Sequence, residues 1–192
     1  MRFLRGSRWR ALALLLPVLP ASAGRGVEAA AQLTAPSQYE VQAVYLFDFA
    51  KFVRWPAGTE HESLDICIAG QKIYVDTLTK IIAGEHIDSH PLTVHAIQGP
   101  EDEAGCDILF IDASVKDRLD ALLSVTTGKP VLTVSDIPGF LDHGGMIQFL
   151  MIGKRVRFSV DLGPVTRSGI SLSSELLKVA VSVKGGSDGG AP

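Results

Sequence analysis

Cys67 and Cys106 sit in the apolar runs Leu64–Ala69 and Cys106–Ile111, too far apart in sequence for a redox Cys-x-x-Cys pair. In an oxidising compartment they read either as a disulfide or as two buried thiols. A bridge would close a loop of about 40 residues, worth roughly 4 kcal/mol by loop-entropy reasoning. His86, His90 and His95, with Glu85 and Asp88 nearby, are the one histidine cluster. Metal ligands must converge on a point, and this spacing spans a turn and a strand start. Solvated turn histidines are therefore expected, and no metal. Ser135, Asp136 and His143 are the residue types of a hydrolase triad, but no oxyanion-hole motif accompanies them. A nucleophile elbow, metalloprotease helix, phosphate loop and dinucleotide fingerprint are all absent. No catalysis and no cofactor are expected. Arg155 and Arg157, two apart on one side of a strand, could clamp an anionic ligand; the alternative is a solvated face pairing with acids such as Asp161.

The start of the chain bears on the compartment. Arg2, Arg5, Arg8 and Arg10 precede a short apolar stretch, Ala11 to Leu19, and Ala21-Ser22-Ala23 offers the small residues a signal peptidase reads. The stretch is too short for a membrane span, which needs roughly 20 residues. A cleavable signal peptide over 1–23 is expected, with export to the periplasm. Removing its four arginines leaves 14 of the 18 basic residues against 21 acidic ones, the opposite of a nucleic-acid binder. Gly24 to Ser37 reads as a flexible arm, and Gly185 to Pro192 as a disordered tail.

The elements that must position these residues lie between 38 and 184, one domain's worth of chain. A helix is expected from about Gln38 to Val53, ending before Trp55-Pro56. Its polar face, Glu40, Asp48, Lys51 and Arg54, is interrupted by Val44 and Phe47. Those two are either covered by a neighbouring element or form a docking surface. Strands at 64–69, 91–97, 107–111 and 130–135 alternate with helices at 73–83 and 114–125. The nearly continuous apolar strands suit a sheet covered on both faces. Met146–Ile152 and Arg155–Asp161 flank Gly153-Lys154 as an antiparallel hairpin. A short turn through Gly163-Pro164 and Gly169 leads to a last helix at 173–183. The expected fold is α/β: a single domain with a mixed, largely parallel sheet flanked by helices, and a C-terminal antiparallel hairpin.

Taken together, Phe47–Pro56, Ile66–Gly70, Cys106–Ile111, Leu132–Asp136, Gly139-Phe140, Gly144–Ile147 and Arg155–Phe158 resemble, in order and spacing, the YfiR/HmsC-like periplasmic family. The resemblance implies a non-enzymatic, redox-sensitive periplasmic protein that tends to dimerise. It would repress a membrane-bound diguanylate cyclase through the cyclase's periplasmic domain, and so lower cyclic di-GMP and biofilm signalling. It implies release of that repression by an outer-membrane, peptidoglycan-associated lipoprotein. It also places a disulfide on Cys67 and Cys106. Two departures stand out: this chain lacks the second cysteine pair of some members, and Ser159 and Asp161 replace the family's usual acid and Asn. Such contacts need an exposed apolar patch with a polar rim. Val44 and Phe47 are one candidate; Val165, Ile170 and Leu172, in the turn before the last helix, are another. The competing reading is a periplasmic small-ligand-binding or sensor-accessory domain that uses the sheet's carboxyl edge near Gly70 and Ser135.

Overall fold

The structure is a computed structural model that describes residues 35–59, 62–102 and 105–185; the expected signal peptide, most of the arm and the tail beyond Gly185 lie outside the described residues. The compact body begins at Ala35.

Helix α1 (Gln38–Phe52) starts at a capping box: Glu40 donates its backbone N–H to the Ser37 hydroxyl, and the Glu40 carboxylate accepts from the Ser37 N–H at 2.7 Å. The chain then turns extended at β1 (Val53–Arg54), ahead of Trp55-Pro56. Four parallel strands follow: β2 (Leu64–Ala69), β4 (His90–Ile97), β5 (Ile108–Ile111) and β6 (Leu132–Ser135). β3 (His86–Ile87) pairs back onto β4 across Asp88-Ser89, both at positive φ, as a tight hairpin requires. Helix α2 (Lys72–Ile81) joins β2 to the β3–β4 hairpin, and a 3-10 segment, Ala113–Arg118, leads into α3 (Leu119–Thr126). The helix expected at 114–125 is thus broken, because Val115 leaves helical geometry.

β7 (Ile147–Ile152) runs parallel to β6 and turns at Gly153-Lys154 into antiparallel β8 (Arg155–Asp161), the expected hairpin. The sheet order is β8-β7-β6-β5-β2-β4-β3, with a two-residue strand, β10 (Val183–Lys184), outside β8. The architecture is therefore α/β, with a mostly parallel central sheet flanked by helices.

Two C-terminal expectations are corrected. Gly163-Pro164 is not a loose turn but the start of α4 (Leu162–Arg167); the Asp161 carboxylate caps it through the Gly163 N–H, and Pro164 occupies the first turn, where it costs no hydrogen bond. After it, β9 (Ser171–Leu172) pairs with β1, forming a separate two-stranded sheet. The last helix, α5 (Ser174–Val179), capped by Ser173, is shorter than expected. Val179 closes α5, the Val181-x-Val183 alternation beyond it is a strand pattern, and β10 (Val183–Lys184) lies parallel to β8.

The sheet separates two cores. The larger gathers Leu46, Phe49, Tyr74, Leu78, Phe110, Phe149, Phe158 and Leu176 under α1, α2 and α5. Its aromatic centre includes Tyr74 against Phe110 at 4.7 Å and Phe49 against Phe158 at 5.1 Å between ring centroids. The smaller holds Cys67, Cys106, Leu109, Leu122 and Phe140 on the α3 side.

Candidate functional site

The strand order makes β2 and β5 neighbours whose following helices go to opposite faces, α2 to the larger core and α3 to the smaller. In open α/β sheets ligands commonly enter the crevice at such a switch point, beyond the carboxyl ends of the strands. Here the protein occupies it. Gly70, at φ +141°, lies so close to Asp112 that a Cβ there would overlap the Asp112 side chain. Asp112 accepts from the Gln71 N–H at 3.0 Å and from the Ser114 hydroxyl at 2.5 Å. Next to it, Asp136 accepts from the Ala113 N–H at 2.8 Å. The Tyr74 hydroxyl donates to Gln42 Oε1 at 2.6 Å and lies 3.3 Å from Asp136. Burial pushes the Asp136 carboxyl above the usual carboxylate range. The Ala113 N–H opposes that rise, and the charge of Asp112 adds to it. Burial, with both carboxylates, pushes the Tyr74 hydroxyl up as well.

Ser135 is fully engaged: its hydroxyl donates to the Ile111 carbonyl at 2.6 Å and accepts from the Ile137 N–H at 3.0 Å. His143 pairs instead with Asp120 at 3.0 Å. The three triad-type residues are committed to separate partners. The three clustered histidines also part company: His86 contacts the Gly84 carbonyl, His90 lines the cleft described below, and His95 meets Asp65 at 2.9 Å. Among the described residues no group of three or more His, Cys, Asp or Glu converges as metal ligands. Burial opposes ionisation of Asp65, but hydrogen bonds from Thr93, His95 and Ser63 outweigh it and hold its carboxyl below the usual range.

An open cavity lies at the opposite, amino edge of the sheet. A cleft of about 200 Å³ is lined by Val53, Arg54, Trp55, Leu64, Ile87 and His90, among others. It is built by the segment that leaves α1 and by the β3–β4 turn. The Arg54 guanidinium folds back onto the carbonyls of Lys51 and Val53 at 3.1 and 3.0 Å. Trp55 Nε1 is buried with no hydrogen-bond partner among the described residues. Sequence reasoning placed Trp55 only as a helix terminator and missed this cleft; the available signal was an indole donor next to a residue, Pro56, that has none.

Cys67 and Cys106 form a disulfide with Cα atoms 5.7 Å apart, both cysteines buried in the smaller core. It ties β2 to the segment entering β5.

The two candidate contact patches fare differently. Val44 is 44% exposed on α1. Phe47 is half-buried, and the Lys51 ammonium lies 3.7 Å from its ring centroid. Val165 and Ile170, by contrast, are core residues at 2% and 4% exposure, and Leu172 is half-buried in β9 opposite Val53. The second patch is therefore not a surface in this fold: α4 and the β1–β9 pairing turn those side chains inward. Arg155 and Arg157 stand side by side on β8, exposed as expected. Next to them are two residues the sequence reading did not single out, Met151 and Ile152, exposed at 51% and 52%.

These features define a class: a disulfide-tied α/β domain whose topological ligand crevice is closed by its own side chains. The YfiR/HmsC-like family profile matches residues 39–181, and the chain belongs to that family. Among solved structures, a conserved domain protein from Vibrio cholerae O1 biovar eltor is similar in fold at 9% identity, with a TM-score of 0.51. The match covers 79% of this chain and 62% of that one. An ABC domain from Streptococcus pneumonia, in complex with L-Trp, matches more distantly, with a TM-score of 0.46 and 9% identity over 62% of this chain and 55% of that one. Among the described residues no helix is long and apolar enough to cross a membrane.

Proposed function

We propose that this protein is a non-enzymatic periplasmic regulator that represses a membrane-bound diguanylate cyclase by contact with the cyclase's periplasmic domain. It thereby lowers cyclic di-GMP and biofilm signalling. The observation that carries this reading is family membership across residues 39–181. A domain without a reactive centre biases a two-state receptor only by binding its two states unequally, so it needs a presented surface. The exposed side of α1 around Val44, bordered by Phe47, supplies one. A homodimer is part of this proposal, as is an outer-membrane, peptidoglycan-associated lipoprotein that sequesters the repressor. No cofactor is invoked. Cellular cyclic di-GMP tests the reading: deleting the gene raises it, and only the exported form restores it. An unchanged level in a strain that makes cyclic di-GMP overturns the repressor role.

One observation favours a second reading, a small-ligand-binding or sensor-accessory domain. Trp55 lines an open cleft, and its indole N–H is buried without a partner among the described residues, so a ligand acceptor that displaced the side chain slightly would gain a donor. This moves the expected ligand position from the carboxyl edge to the amino edge. A thermal-shift screen separates the two readings, because a strong ligand-induced rise is expected only for the second.

A further inference from the structure

The β7–β8 hairpin outruns the sheet that carries it. β6 pairs with β7 only at Val134–Ile147 and Ser135–Gln148, and β10 pairs with β8 only at Val183–Val160 and Lys184–Asp161. The ladder between β7 and β8 nevertheless continues outward through Leu150–Arg157, Met151–Val156 and Ile152–Arg155. The outer half is thus a two-stranded finger beyond the carboxyl edge, turning at Gly153 with φ +61°.

The finger's chemistry differs from that of the rest of the chain. From Phe149 to Phe158 there is no acid, while Lys154, Arg155 and Arg157 are all exposed. None of the three side chains enters an ion pair or hydrogen bond among the described residues. This occurs in a protein with 21 acidic against 18 basic residues. Two large apolar side chains, Met151 and Ile152, are more than half exposed just behind the Gly153-Lys154 turn, one on each face of the ribbon. Cations alone would be explained as a guard against edge-to-edge pairing of a free strand. Apolar side chains at the tip of that same edge would work against such a guard.

We propose that this finger docks on an anionic phospholipid bilayer. Met151 and Ile152 enter the boundary between headgroups and acyl chains, while Lys154, Arg155 and Arg157 sit at the phosphates. Long cationic side chains flanking exposed apolar ones are suited to that boundary, and the Lys154 stem at the turn lies in the apolar layer while its ammonium reaches back to the phosphates. An acidic protein partner would meet the same charges, but a stable protein interface needs about 800 Å² from each side, which calls for a broad patch and not a finger two strands wide. The proposal stands apart from the repressor reading, because its test contains no cyclase.

The test is co-sedimentation of the exported protein with vesicles. It binds equimolar phosphatidylglycerol–phosphatidylcholine vesicles at low salt, does not bind pure phosphatidylcholine, and is released as rising salt shortens the screening length. Arg155→Gln and Arg157→Gln each lower the partition roughly fivefold. Met151→Ser with Ile152→Ser lowers it further without altering the thermal midpoint, since both sites are exposed. In a second measurement, an Ile152→Trp variant shows fluorescence quenching by acyl-brominated phosphatidylglycerol beyond that of the parent. Absence of sedimentation, equal binding to pure phosphatidylcholine, or full binding by the double arginine variant each overturns the proposal. Unquenched fluorescence of the tryptophan variant on bound vesicles overturns insertion of the tip.

Discussion

At the carboxyl edge of the sheet, Asp112, Asp136 and Tyr74 close the switch-point crevice with hydrogen bonds, Asp112 packed on Gly70; at the amino edge, the indole N–H of Trp55, beside the cleft, has no partner among the described residues. The fold is the same at both ends, and parallel-sheet topology favours a ligand at the first. The side chains reverse that preference. The topology therefore supplies a location, and one carboxylate packed against one glycine is enough to cancel it.

The contrast can be broken hardest at Gly70. Gly70→Ala combines a backbone conformation unfavourable to L-residues with overlap on Asp112, and should cost about 3 kcal/mol. Thermal unfolding would register a drop of roughly 10 °C. Because the closest overlap is with the Asp112 Cβ, the same substitution should cost less in an Asp112→Gly background, and a double-mutant cycle measures the difference. At the other edge, Trp55→Phe removes a buried donor without a partner among the described residues, and should stabilise by about 1 kcal/mol in urea unfolding. A loss of stability would reveal a partner for the indole.

Two carboxylates sharpen the comparison through pH. Asp65, near the amino edge, has a lowered folded-state pKa, so its contribution is present above the unfolded value and is lost as pH falls through the folded one. Asp65→Asn should cost about 1 kcal/mol at neutral pH, allowing for its partial exposure, and converge with the parent in acid. Asp136 has the opposite sign. Its raised folded-state pKa means that ionisation costs stability as pH climbs from the unfolded value through the folded one. The smallest effect expected is therefore a gain by Asp136→Asn, relative to the parent, over that rise. Denaturant titrations at several pH values read both signs in one experiment.

Much of the framework was legible. Strands β2 and β5 are short apolar runs, and β7 and β8 flank a Gly-Lys turn; burial on both faces and tight-turn geometry leave such segments few alternatives. The errors cluster where a residue carries two meanings. Gly163-Pro164 looks like a turn until Asp161 is seen as a helix cap, and that misreading put Val165 and Ile170 on the surface. Val181 and Val183 fit a helix by hydrophobicity but a strand by alternation. The closed crevice could not be read from sequence, because Gly70 and Asp112 meet only through the pairing of β2 with β5.

The Cys67–Cys106 bridge spans 39 positions and encloses the end of β2, α2 and the β3–β4 hairpin in one covalent ring. A protease that cuts the exposed Asp88-Ser89 turn would open that ring without releasing a fragment. The nicked chain would still migrate as one piece on a non-reducing gel and separate into two only after a thiol is added. Outside the cytoplasm, where chains meet proteases without a route to resynthesis in place, such a molecule outlasts its own first cut.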